Sequence, residues 1–235
     1  MSHPLDAMLC DPWRLLEHAL DGPLHPGGAD ATDALLDRAD VGEGTRVLDV
    51  GCGSGSALRL ARRRGARAIG LDRQPTEAGM VRGDLTAFPF RPNSFDVVLG
   101  ECVLCLSPDL ERTLDDVGRL LKPGGRLALS DVTITGEPPA LPAPIDELLC
   151  LDGPRERTWI CRQISQAGFE INGVQTHRED LLSMRDRLSA TLDFERLQVA
   201  LGDRGTQLRD GASELEAAVK SGRIGYCSVV ATRDS

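Results

Sequence analysis

The sequence predicts an α/β fold built on a doubly wound, mostly parallel sheet, and three observations carry that expectation. From residue 46 onward, short apolar runs alternate with amphipathic stretches of helical period, the pattern of parallel strands joined by crossover helices. The first such run, Arg46-Val47-Leu48-Asp49-Val50, enters a loop of Gly51, Gly53 and Gly55, and residues 54–64 read as the helix that follows. Val97-Val98-Leu99 is short and wholly apolar, as a central strand covered on both faces must be.

The elements follow in order. Asp11-Pro12 opens a short helix, with Asp as cap, Pro in the first turn, Gly22 as stop and Trp13, Leu16 and Leu20 on its apolar face. After a loop at 23–28, Thr32 is expected to cap a second helix carrying Leu35, Leu36 and Ala39. Strands are expected near 46–50, 67–71, 79–82, 95–99, 126–132, 169–175 and 224–231. Ser107-Pro108-Asp109 starts a helix whose buried stripe is Leu110, Leu114, Val117 and Leu121, and Lys122-Pro123-Gly124-Gly125 ends it. Residues 155–167 form another helix, closed by Gly168.

The segment 179–220 reads as helical, with Leu181, Leu188, Leu192 and Leu197 as core contacts. Gly202 and Gly205 should break it before Ser213 caps a last helix. An insertion of that length between two strands is expected to form a helical cap or an interface. The proline-rich stretch 138–144 is expected to flank the active-site opening. The whole chain is expected to be one domain: an N-terminal helical cap over 1–40, a core over 41–176, the helical insertion over 177–222, and a last strand with its tail over 223–235.

Composition narrows the classes of function. The chain has 235 residues and a formal net charge of −9, so its surface repels phosphate backbones and a nucleic-acid partner is not expected. The basic run at 62–64 lies at a helix end, where positive charge complements the dipole. No apolar run reaches the length of a membrane span and no signal-peptide core opens the sequence, so a cytoplasmic location and no membrane partner are expected. The seven cysteines are Cys10, Cys52, Cys102, Cys105, Cys150, Cys161 and Cys227. In a reducing compartment all are expected to be thiols. Cys102-x-x-Cys105 has no second pair at zinc spacing, and no metal site is expected.

The glycine loop says what class of ligand to expect. Without Cβ atoms, its backbone N–H groups can touch a ligand directly. Asp49 stands at the mouth of the loop, and Asp72 ends the next strand, where nucleoside-binding α/β folds hold a ribose diol. The spacing is G-x-G-x-G, with Ser56 where a dinucleotide fingerprint has its last glycine, and no P-loop lysine follows. A carboxylate at Asp49 repels a pyrophosphate and suits a cationic group.

These residues resemble motif I of class I S-adenosylmethionine-dependent methyltransferases. The resemblance continues in order through Gly83-Asp84-Leu85 with Phe88-Pro89-Phe90, Asn93-Ser94-Phe95-Asp96-Val97-Val98, and Leu121-Lys122-Pro123-Gly124-Gly125. It implies a Rossmann-like, seven-stranded sheet whose last strand is antiparallel, with ligand at the C-terminal strand ends. It further implies that S-adenosylmethionine is the cofactor and a small molecule the methyl acceptor. Carried over residue by residue, it places Asp49, Gly51, Cys52 (through its backbone) and Gly53 at the methionine half and Asp72 at the ribose. Asp84, Leu85 and Arg73 are placed around the adenine, and Glu101 and Cys102 near the transferred methyl.

A narrower resemblance, to arsenite methyltransferases, covers Cys102-Val103-Leu104-Cys105-Leu106-Ser107-Pro108-Asp109, then Ser130-Asp131-Val132, then Cys150 ahead of a helix ending Ala167-Gly168-Phe169. It implies a soft acceptor, trivalent arsenic or a thiol, held by Cys102, Cys150 and, if it points to the pocket, Cys227. The sequence departs from that family where a Tyr-Gly-Cys-Gly element would stand; its nearest analogue is His25-Pro26-Gly27-Gly28. A natural-product O- or N-methyltransferase is the alternative, and a cofactor- or metalloid-binding protein without turnover is a further one. Such an acceptor needs a base, and His25 is the candidate, read against an exposed loop histidine. His177 carries no distinctive pattern. Glu101 reads either as an acceptor contact or as a hydrogen-bonded support. Oligomeric state is left open by the sequence.

Overall fold

The computed structural model describes residues 25–139, 151, 155–191 and 203–234. The expected helix at 11–22, most of the proline-rich stretch, Cys10, Cys150, Leu192 and Leu197 lie outside them.

Helix α1 (Gly28–Arg38) leads into β1 (Arg46–Val50), α2 (Ser56–Arg63), β2 (Arg67–Asp72), β3 (Met80–Arg82) and β4 (Phe95–Glu101). A 3-10 turn at Leu104–Leu106 precedes α3 (Leu110–Leu120) and β5 (Leu121–Ile134). Then come α4 (Arg157–Gln166), β6 (Phe169–Thr176), α5 (Arg178–Thr191), α6 (Asp203–Ser221) and β7 (Ile224–Arg233). The seven strands form one sheet in the order β3-β2-β1-β4-β5-β7-β6. β7 runs antiparallel to both β5 and β6, and the other pairs are parallel. The expected α/β architecture, antiparallel last strand included, is the one observed.

Strand parity divides the core. Val47, Val97, Leu99, Ala128 and Val230 face α1 and α2, where Leu36, Leu58 and Ala61 cover them. Leu48, Val98, Leu127, Leu129 and Val229 face α3 and α4, under Leu114, Val117, Ile160 and Ile164. A third cluster joins Ile134, Ile224 and Tyr226 to Ala218 and Val219 of α6, with Leu181 and Leu182 of α5 packed against it.

Several local expectations are revised. Thr32 does not cap α1: the helix begins at Gly28 after a left-handed Gly27 (φ 79°), and the fully buried Thr32 points inward. Asp109 does cap α3, its side chain accepting from Arg112 N–H. β5 starts at Leu121 rather than 126, because Leu121 pairs with Phe95 across a bulge while Lys122 reaches Asp96 (2.5 Å). Gly205 and Ser213 interrupt nothing: α6 is continuous from Asp203 to Ser221. Gly205 falls in the first turn of that helix, where a glycine costs less than in the interior, and Ala218 and Val219 are buried at the other end. No described helix is long and apolar enough to cross a membrane.

Candidate functional site

The C-terminal ends of β1, β2 and β4 deliver three carboxylates. Asp49, the penultimate residue of β1, is 4% exposed. Its Oδ2 has no hydrogen-bond partner. Burial pushes its carboxyl well above the usual carboxylate range, and the charges of Glu101 and Asp72 push it further. An orphaned buried oxygen is uncommon enough to demand a reason.

The loop after β1 is tied down by backbone bonds from Gly51 and Cys52 N–H to Leu71 O (2.8 and 3.2 Å). Gly51 has φ 68°, and a Cβ there would lie 2.3 Å from Val103 Cγ2, so only glycine fits. Gly51 and Gly53 are exposed at the mouth. Cys52 turns the other way, against Gly70, where an added Cβ would meet its Sγ at 2.4 Å, and burial raises its thiol.

Asp72 ends β2 half-buried. Its Oδ2 accepts from Gly53 N–H (2.9 Å) and its Oδ1 from Gln74 N–H (2.8 Å). The side chain therefore braces the glycine loop. Arg73 beside it is exposed, its carbonyl accepting from Arg82 (2.8 Å). Asp84 is exposed and takes bonds from Thr86 N–H (2.8 Å) and Oγ1 (2.5 Å); these hold its carboxyl below the usual range. Leu85 is buried, and its carbonyl accepts from Thr113 (3.3 Å).

Beyond Glu101 lies a buried polar cluster on the same sheet face as Asp49. Thr32 Oγ1 donates to Glu101 Oε2 (2.9 Å), and His25 Nε2 lies 3.6 Å from that oxygen. Burial raises the Glu101 carboxyl, while His25, Thr32 and Ser130 act to lower it. Ser130, in register with Glu101, accepts from Tyr226 Oη (2.6 Å), and Cys102 Sγ faces that phenol at 3.8 Å. Cys102 adopts φ 51°, uncommon for a side-chain-bearing residue, with its N–H bonded to Ser130 O (2.8 Å). Its thiol is raised well above the ordinary value, first by burial and then by Asp131.

Residues 48–129 match the family model described as a methyltransferase domain, and the match spans the glycine loop, Asp72, Asp84 and Glu101. That stretch carries a methyltransferase domain. Among curated relatives of this methyltransferase domain, methyltransferase GfsG of Streptomyces halstedii is 32% identical over 131 residues, covering 48% of this chain and 47% of that protein. The arsenite methyltransferase of Halobacterium salinarum is 30% identical over 178 residues, covering 61% of this chain and 46% of that protein. The chain thus spans about half the length of these relatives. The solved structure of a geranyl diphosphate methyltransferase in complex with SAM superposes with a TM-score of 0.71 at 16% identity, covering 92% of this chain and 94% of that one, a likeness of fold.

On this methyltransferase fold, Asp49, Gly51, Gly53, Asp72 and Glu101 come together at the strand ends, with Arg73 and Asp84 outward of Asp72. His25 joins Glu101. It is not an exposed loop residue: it is 7% exposed and enclosed by Thr32 and Glu101. Cys227 does not join Cys102. It pairs across the sheet with Asp131 and faces α3 and α4, the side opposite Tyr226, and burial takes its thiol to about 12. The expectation of seven thiols fails at Cys105, which is disulfide-bonded; Cys52, Cys102, Cys161 and Cys227 are free. Among the described residues no cluster could hold a metal ion. Sequence reasoning missed Thr32 and Tyr226. For Tyr226 a signal existed: Tyr226 and Ser228 sit two apart in an otherwise apolar strand, which puts two polar groups on one face.

Proposed function

We propose that this chain transfers a methyl group from S-adenosylmethionine to a small molecule. The observation that carries the reading is the buried, unpartnered Asp49 Oδ2 beside the Gly51 loop, a site made for a cationic donor. Asp49 and the exposed backbone of Gly51 and Gly53 would hold the methionine half, Asp72 the ribose hydroxyls and Asp84 the adenine edge. The cofactor, when bound, supplies an electrophilic methyl on a sulfonium. The chain's part is to align acceptor and methyl, a gain of several kcal/mol, and to manage the acceptor's proton.

Isothermal titration with S-adenosylhomocysteine tests this directly, and folded protein that fails to bind it refutes the reading. Asp72→Ala removes a charged acceptor and is expected to weaken binding by about 1.5–3 kcal/mol. It also frees Gly53 N–H, so the loop should exchange hydrogen faster. Unchanged affinity would move the ribose site elsewhere.

For the acceptor, the buried His25–Thr32–Glu101 cluster supports a protic oxygen or nitrogen nucleophile. The similarity to an arsenite methyltransferase and the position of Cys102 favour a second reading, a soft acceptor such as trivalent arsenic or a thiol. Incubation with arsenite, a thiol reductant and methyl-labelled cofactor separates the two. Under the first reading label reaches hydroxyl or amine acceptors and no methylarsenical forms. Methylarsenicals lost in Cys102→Ser and Cys150→Ser would establish the second.

A further inference from the structure

The chain turns sharply where β4 ends, and one side chain fills the bend. Cys102 has φ 51°, a left-handed conformation uncommon for a residue with a Cβ, which persists only where its surroundings hold it. Here they hold it from two strands. Its N–H donates to Ser130 O (2.8 Å), one step past the last β4–β5 pair, Glu101 with Ser130. Its Sγ faces Tyr226 Oη of β7 at 3.8 Å. Three residues on, Cys105 N–H donates to Oδ2 of the buried Asp131 (3.0 Å), so the 3-10 turn is fixed to β5 as well.

Between those two anchors Val103 is sent back over the strand it has just left, and it is buried there. A Cβ added at Gly100 would meet Val103 Cγ1 at 3.1 Å. One added at Gly51 would collide with Val103 Cγ2 and lie 2.9 Å from Val103 Cβ. Gly100 is in register with Val50, the residue before Gly51. The two glycines, one in β4 and one in the loop after β1, thus leave a single notch, and Val103 occupies it. An extended backbone at residue 102 would carry Val103 away from that notch.

We propose that Cys102 is a positioning residue that acts through its backbone: its left-handed turn seats Val103 between Gly100 and Gly51, and so fixes the glycine loop that faces the cofactor. The strained residue ends β4, the loop follows β1, and Val103 joins them. A chain whose turn relaxes part of the time presents the loop correctly only in the remaining fraction, and apparent affinity falls by that fraction. The role makes no use of the sulfur, which separates it from that of a soft ligand. Its consequence for cofactor affinity rests on the methyl-transfer reading above; the seating of Val103 does not.

The test is a series at position 102 whose ranking separates backbone from sulfur. Asparagine and glycine enter the left-handed region more readily than cysteine, and valine, branched at Cβ, is the least able to. In isothermal titration, Cys102→Asn and Cys102→Gly should bind S-adenosylhomocysteine at least as tightly as wild type, and Cys102→Val about tenfold more weakly. Without ligand, the Gly51 and Cys52 amides, which bond Leu71 O, should exchange hydrogen about tenfold faster in the valine variant. Gly100→Ala is a second route, because its methyl would press on Val103 with residue 102 intact. It should weaken binding, and adding Val103→Ala should restore part of the loss. Circular dichroism checks that each variant folds. Where Cys102→Val does not, Gly100→Ala decides, and wild-type affinity in it overturns the proposal. Equal losses in all three variants at position 102 would assign the effect to the sulfur and overturn it, as would a valine variant with wild-type affinity and exchange. Failure of wild type to bind S-adenosylhomocysteine would overturn the functional reading alone, and the exchange rates would still decide the seating of Val103.

Discussion

Replacing Asp49 by asparagine is expected to do two opposite things: abolish useful cofactor affinity and stabilise the free protein. The carboxylate is 4% exposed, with Oδ2 unpartnered. Among the described residues that oxygen has no partner, and a cationic ligand would supply one. Losing a charged hydrogen bond is worth about 1.5–3 kcal/mol, so S-adenosylhomocysteine should bind about 10- to 150-fold more weakly. The free protein carries the cost of the buried charge without that return. Neutralising it should raise stability by about 1 kcal/mol or more, or about 2–4 °C in a chain of this size.

The pH dependence has a definite sign. In the folded protein the Asp49 carboxyl is raised well above its unfolded value. Its contribution to stability is fully present below the unfolded value and is lost as pH rises through the folded one. Wild type and Asp49→Asn should therefore unfold at similar temperatures below the ordinary carboxylate range. The gap should open in favour of the variant as pH climbs above it. Saturating S-adenosylhomocysteine should reverse the order at pH 7 to 8, because wild type gains more from linkage by about the same 1.5–3 kcal/mol. Calorimetric scans across pH with and without ligand read all of this. A variant no more stable than wild type at pH 8 would mean that Asp49 is satisfied in a way the orphaned oxygen denies.

Features set by local chemistry were legible in the sequence. The strand–glycine–helix unit around Asp49 declares itself because a buried strand, a left-handed turn and a helix start each demand particular residue types within ten positions. The polarity of β7 came from family resemblance, since nothing local distinguishes an antiparallel strand buried on both faces. Side-chain direction was less accessible. Cys227 and Tyr226 are neighbours in sequence, yet sheet parity sends them to opposite faces, and a strand flanked on both sides by apolar neighbours does not reveal its register. Thr32 looked like a cap because threonine before an apolar stripe usually is one. Only the approach of β4 shows that its hydroxyl bonds Glu101, 69 positions away in sequence. The burial of His25 depends on the same long-range packing. The segment 179–220 looked broken at Gly202 and Gly205 because helix propensity weighs against glycine; Gly202 lies outside the described residues, and Gly205 falls in the first turn of α6 and does not interrupt it.

Gly51→Ala is expected to cost more stability than any other single added methyl in the glycine loop, for two separable reasons. Gly51 holds φ 68°, a conformation that costs a residue with a Cβ about 1–2 kcal/mol. The new methyl would also fall 2.3 Å from Val103 Cγ2 and 2.9 Å from Val103 Cβ, and forcing such overlap in a packed interior costs about 1–3 kcal/mol. Gly124 provides the control: its φ is 74°, with nothing within 4 Å of an added Cβ. Gly124→Ala should show the backbone term alone, at about 1–2 kcal/mol. The difference between the two variants in urea unfolding is then the steric term. Val103→Ala removes Cγ2 and keeps the Cβ, so it should relieve the larger part of that term and leave the strain, and the double variant should be more stable than the sum of single effects by about 0.5 kcal/mol or more, a coupling of the size contacting residues show. Cofactor affinity should follow: Gly51→Ala displaces the loop that Gly51 and Cys52 N–H anchor to Leu71 O, and Val103→Ala should restore part of it. Equal losses at Gly51 and Gly124, or strictly additive effects with Val103, would show that the loop yields freely and that the close packing of Gly51 on Val103 does not hold the cofactor-side backbone in place.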